Sequence, residues 1–210
     1  MKSPALYVKS RKIHSVCSIK RTIQLEEKLS EHFSISELVD TRHEEYLEAN
    51  KDYAMEEENY LKLKRLCTDI LEPIRKYLNK GNNAADVGIT ISSGMRCPEL
   101  NTLIKGSEKS QHMYCEAADI VISGYNVSSK AHKNALVQLF KDLYNNNAEE
   151  LNRDMISQCI IEKHNSYWLH IGIKSEREKF ITKFMISPNV SPRPYNEYKG
   201  TDSAFDIPGF

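Results

Sequence analysis

The chain has no surplus of charge of either sign: 29 basic residues meet 29 acidic ones. That balance removes the electrostatic argument for a nucleic-acid or anionic-membrane partner. No apolar run approaches the roughly 20 residues that a membrane-spanning helix needs. The basic opening, MKSPALYVKSRKIHSVCSIKRTIQ, lacks the apolar stretch of a secretory signal, so none is expected. The five cysteines (Cys17, Cys67, Cys97, Cys115 and Cys159) are scattered, and no two form a C-x-x-C pair. An odd, dispersed set speaks against a disulfide framework and for reduced thiols in a protein made in the cytosol. Internal repeats and low-complexity tracts are absent as well.

What is present fits one domain with extensions, since 210 residues with 40% apolar content can bury a core. Residues 1–28 read as a basic N-terminal extension, 29–187 as the folded domain, and 188–210 as an irregular tail rich in Pro, Gly and Asn. LSEHFSISELVDTRHEEYLEANK opens a helix, with Ser34 and Glu37 at capping-box spacing and Phe33 as a staple residue. A second helix, EEENYLKLKRLCTDILEPIRKYLNKG, places Leu63, Leu66, Cys67, Ile70, Leu71, Ile74 and Leu78 on one face. Pro73 is expected to kink or split it, and Gly81 to stop it. VGITISS and AADIVI read as strands, and SQCIIEK-HNS-YWLHIGI as a β-hairpin with a polar turn. EKFITKFMI offers a further strand. A helix with Leu136, Leu139, Phe140 and Leu143 on its buried side, capped by Ser128 or Ser129, lies between the second strand and the hairpin. The order predicts an α+β domain built on a mostly antiparallel sheet with flanking helices.

The segment GSEKSQHMYCEAADIVI places His112 in a polar loop and Asp119 at the mouth of an apolar strand. A buried carboxylate needs a cationic or hydrogen-bonding partner. His170 stands inside the apolar strand YWLHIGI, where a lone histidine is ordinarily a core or edge residue. Taken together, two imidazoles and one carboxylate make the ligand set of a catalytic zinc with an open coordination place. Such a centre also wants a base. Glu162 opposes His170 if the hairpin turns about Ser166; His164 is the alternative, and a plain surface carboxylate is the bland one. Arg96, in the loop SSGMRCPELN, has the fork that suits a substrate carboxylate, or else makes a surface ion pair.

The three segments SSGMRCPELN, GSEKSQHMYCEAADI and CIIEKHNSYWLHIG resemble, in order and spacing, the zinc D-alanyl-D-alanine carboxypeptidase / L-alanyl-D-glutamate endopeptidase family. The nearest pattern is that of phage and bacterial wall peptidases carrying S-G-Y-R-S-P-E-L-N, S-Q-H-x-x-G-x-A-A-D and W-V-H. The likeness covers about residues 29–175. It implies a hedgehog-like fold, a mononuclear Zn2+ and cleavage of peptide bonds in peptidoglycan. Position by position it implies His112, Asp119 and His170 as zinc ligands and Glu162 as the catalytic carboxylate. Arg96 would hold or polarise the substrate, with Ser110 and Gln111 supporting the site. Four departures stand out: Met95 replaces an aromatic, Cys115 and Lys105 replace glycines, and Glu162 lies eight positions before His170 where six is usual, with His164 in the nearer place.

The resemblance implies a peptidoglycan peptide as partner, with no nucleic acid and no membrane, and the terminal extensions offer contacts to other virion proteins. The protein would be made in the cytoplasm and act on the cell wall, in phage lysis or as part of a virion. The contrasting expectation is a wall-binding or virion-structural protein that keeps the fold without turnover.

Overall fold

A computed structural model describes residues 27–80, 86–177, 182–190 and 194–210. Most of the basic extension at 1–28 and the helix stop expected at Gly81 lie outside the described residues. The first expected helix is divided into α1 (Ile35–Val39) and α2 (Leu47–Ala54). The Glu37 carboxylate accepts the Ser34 backbone N–H at 2.8 Å, as a capping box requires. The break falls at Asp40–His43. There the Asp40 carboxylate accepts the Thr41 N–H at 2.9 Å, and the Thr41 hydroxyl accepts the His43 N–H at 3.1 Å. Such local bonds compete directly with helix continuation.

Pro73 splits the second helix in a defined way. α3 (Glu57–Leu66) passes into one π-helical turn, Cys67–Leu71, and then into α4 (Glu72–Asn79). Proline cannot donate to the carbonyl four residues back, which is that of Asp69. The Asn152 side-chain amide donates to that freed carbonyl at 2.9 Å. The apolar face read from the sequence is buried from Leu63 to Ile74.

Among the described residues, six strands form one sheet in the order β1-β2-β4-β3-β5-β6. They are β1 (Ile89–Ser93), β2 (Ala117–Ile122), β3 (Ile156–Lys163), β4 (Tyr167–Ile173), β5 (Lys183–Ser187) and β6 (Asn196–Glu197). All neighbours are antiparallel except β3 and β5. The expected α+β class with a mostly antiparallel sheet is the one observed. α5 (Pro98–Leu103) follows β1, and α6 (Lys130–Asn145), capped by Ser129, lies against β2, β3 and β4.

Strand alternation separates two faces. Ala118, Ile120 and Ile122 of β2, Cys159 and Ile161 of β3, Leu169, Ile171 and Ile173 of β4, and Phe184 and Ile186 of β5 join the core. The residues between them, including Asp119, Glu162, Trp168, His170 and Met185, point to the opposite face. The segment from Pro188, expected to be an irregular tail, supplies β6 and the 3-10 turn Asp202–Phe205. Its Tyr198 and Phe205 are buried and stand edge-on to Phe140 of α6, with ring centroids 5.1 and 5.8 Å apart. These pairs tie the tail to the core.

Candidate active site

Asp119 and His170 are directly opposed residues of β2 and β4. Cross-strand partners share a face, and here Asp119 Oδ1 lies 2.8 Å from His170 Nδ1. His112 enters from the 3-10 turn Gln111–Tyr114, which precedes β2. That turn is closed by Cys115 in the left-handed conformation, with φ of 57°. The reversal returns the Cys115 N–H to the His112 carbonyl at 3.3 Å and the Glu116 N–H to the Gln111 carbonyl at 3.0 Å. His112 Nε2 then sits 3.2 Å from Asp119 Oδ1 and 3.1 Å from His170 Nδ1. The N-terminal helices brace this turn: the Tyr53 hydroxyl donates to the Met113 carbonyl at 2.9 Å.

The surrounding hydrogen bonds decide where the imidazole protons are. The Gly94 carbonyl lies 2.7 Å from His112 Nδ1 and can only accept, so Nδ1 carries the proton and Nε2 is bare. A longer chain fixes His170. The Ser157 hydroxyl donates to the Ile173 carbonyl at 3.1 Å, so its oxygen must accept from Gln111 Nε2 at 2.8 Å. That leaves Gln111 Oε1 as an acceptor facing His170 Nε2 at 3.4 Å; in the tautomer with the proton on Nε2, Nδ1 turns a lone pair toward Asp119 and His112. In that tautomer two bare imidazole nitrogens and a carboxylate oxygen converge with no proton between the imidazoles. Three such donors repel one another unless a cation lies among them.

The donor set is one that zinc takes, and its spacing agrees. Zinc–ligand distances of 2.0–2.2 Å at tetrahedral angles put ligand atoms roughly 3.3 Å apart. The observed separations of 2.8, 3.1 and 3.2 Å lie within about half an ångström of that figure. These three are the one group of potential metal ligands among the described residues. Burial pushes the His112 pKa down, which keeps its imidazole neutral. Burial works to raise the Asp119 carboxyl, and charge or hydrogen-bond donation from the two histidines works to lower it; with both facing nitrogens bare, a cation among the three takes over that lowering role.

The centre opens into a cavity of about 590 Å³, also lined by Arg96, Ser110, Gln111 and Glu162. Arg96 is held by long contacts, 3.4 Å to the Ser110 hydroxyl and 3.5 Å to Asn101 Oδ1. Its Nε is buried with no partner among the described residues. Burial lowers the Arg96 pKa, while Asp119, Glu162 and Tyr195 nearby favour its charged form. Glu162 is buried, but it does not stand opposite His170. The hairpin turns about Asn165 rather than Ser166, so Glu162 pairs with Trp168 and Ile160 pairs with His170. The pairing slips by two residues, which preserves the face, so Glu162 is a diagonal neighbour of His170 on the cavity side. His164 lies in the turn, exposed and outside this cavity.

The departures from the motif pattern have separate outcomes. Cys115 and Lys105 both adopt positive φ, 57° and 56°, in places where glycine carries no Cβ penalty. The Cys115 thiol points into the core and is pushed up to about 12 by burial, so it takes no part in the centre. Met95 is buried and packs in the core. The sequence reading missed Trp168, Lys183, Met185 and Tyr195, which complete the cavity wall. Strand alternation carries a signal for the first three: they share a face with Glu162 and His170. Tyr195, in the tail, carries none.

The family model for peptidase M15 matches residues 31–146. That span holds Arg96, Ser110, Gln111, His112 and Asp119, and it ends before the hairpin that carries Glu162 and His170. Neither a curated protein nor a solved structure matches the chain. With more than half of its length matched, the chain belongs to the peptidase M15 family and is a metallopeptidase of that zinc-dependent kind.

Proposed function

We propose that this metallopeptidase cuts peptide bonds in the stem or cross-link peptides of bacterial peptidoglycan, using a zinc ion held by His112, Asp119 and His170. The observation that carries the reading is the convergence of ligand atoms from His112, Asp119 and His170 in the wall of a cavity that Glu162 and Arg96 also line. When bound, zinc supplies Lewis acidity toward the scissile carbonyl and the attacking water. Glu162 takes the proton of that water and returns it to the leaving amine nitrogen. Arg96 holds a substrate carboxylate with its fork, and its long contacts to Ser110 and Asn101 leave that fork available. Ser110 orients Arg96, and Gln111 holds His170 in the ligating tautomer. The phage setting, in lysis or wall penetration, rests on the likeness of the three motifs to those of phage wall peptidases.

The test uses purified sacculi with and without a chelator, scored for new free amines. Glu162→Gln should keep its zinc and lose activity by about 10²–10⁴-fold, the range of general acid–base groups. His164→Ala should lose far less. The reverse ranking at equal zinc content would transfer the role to His164. No chelator-sensitive release of amines would contradict the proposed activity.

A further inference from the structure

A second polar cavity, of about 440 Å³, meets the same centre from the side of β1. Asp119 and Trp168 belong to the walls of both cavities. The remaining wall of the second is Arg42, from the break between α1 and α2, with Ser92 and Ser93 at the end of β1 and the hairpin turn at 164–166. We propose that this cavity is a peptide subsite: the substrate chain crosses the centre from one cavity to the other, and Arg42 holds an acidic group of it. The bond cut is then internal to the chain. This inference rests on the peptidase reading above and adds to it the direction of the substrate and the kind of bond.

Three observations carry it. First, both volumes lie in the roughly 300–1,000 Å³ range of ligand sites. An enzyme that removes one terminal residue needs room for only that residue on one side of its centre. Second, the two cavities share a wall at Asp119, whose partner across the strands is Ser93 of the second cavity, so a chain bound across Asp119 reaches both. Third, the charges are arranged for an acidic chain. Arg42 is exposed and has no carboxylate partner among the described residues. Lys105, Lys109 and Lys183 rim the first cavity and likewise have none. The acidic residues lining either cavity are Asp119 and Glu162, both inside the centre. A peptide with carboxylates on both sides of the scissile bond meets cations at each end.

The zinc-loaded full chain is given a disaccharide-pentapeptide and a cross-linked muropeptide dimer, and the products are weighed. Cleavage upstream of the terminal D-alanine is expected. Release of the terminal D-alanine alone would overturn the proposal while leaving the peptidase reading intact; no cleavage at all would strike that reading instead. Trp168 is the chain's one tryptophan, and it stands in both walls, so its emission reports occupancy without turnover. In the Glu162→Gln background, titrated with the stem peptide, Arg42→Gln should bind about fivefold more weakly than its parent, the size of an exposed ion pair. With the same peptide amidated at its carboxylates, the two proteins should bind alike. Equal binding of the acidic peptide by both proteins would overturn the subsite.

Discussion

The centre depends on residues that never touch a metal. As a ligand through Nδ1, His170 would need its proton on Nε2, where Gln111, held by Ser157 and through it by the Ile173 carbonyl, offers the acceptor. Gln111 reaches His170 by crossing Gly172, where a Cβ would come within 2.2 Å of Gln111 Oε1. Gly172→Ala should therefore displace the amide and weaken zinc binding by about 10–100-fold, the usual cost of disturbing such an outer hydrogen bond. Competition against a chromophoric chelator measures this, and unchanged affinity in a folded variant would refute the tautomer argument. His112, Asp119, His170, Arg96 and Glu162 were legible as residues, because each lies in a segment whose residue types suit one chemistry. The layer behind them was not: Gly172 and Ser157 gain their meaning only from the pairing of β3, β4 and the turn before β2.

Among the elements, the hairpin is where the sequence fell short. Its polar turn admits more than one centre, and nothing local distinguishes Asn165 from Ser166. The face of Glu162 survived because the slip was even, so the cavity side was legible while its opposite partner was not. The two halves of the second helix were legible from Pro73, but the π-helical turn and its Asn152 partner were not, since that contact is long-range. A second polar link joins α4 to α6. Asp142 of α6 is buried and accepts from the Tyr77 hydroxyl of α4, from Gln138 at 2.8 Å and from Asn147 at 3.1 Å. Burial alone would raise its pKa, but these donors lower it. A carboxylate whose folded pKa lies below its unfolded value of about 3.9 contributes stability above that pH and loses it as pH falls through the folded pKa. Asp142→Asn should cost about 1–3 kcal/mol near pH 7. The gap to wild type should narrow below about pH 4. Urea unfolding at both values tests this; a gap that stays constant with pH would contradict it.

At the scale of the whole molecule, the two halves of the chain each supply part of one centre. Residues 31–146 carry the family match with His112, Asp119 and Arg96, and the later hairpin brings His170 and Glu162 to the same sheet face. The antiparallel α+β class followed from the order of helices and strands. The parallel pairing of β3 with β5 and the packing of the tail around Phe140 did not, because both depend on contacts between segments far apart in sequence. The tail also brings Tyr195 to the cavity wall, which joins the last segment of the chain to the site. The central claim is that His112, Asp119 and His170 hold a single metal ion. It is tested most directly by the metal content of the purified, dialysed full chain beside that of the His112→Ala, His170→Ala double variant. The account predicts one zinc per chain in the wild type and none in the double variant. Full zinc occupancy in a folded double variant would contradict it.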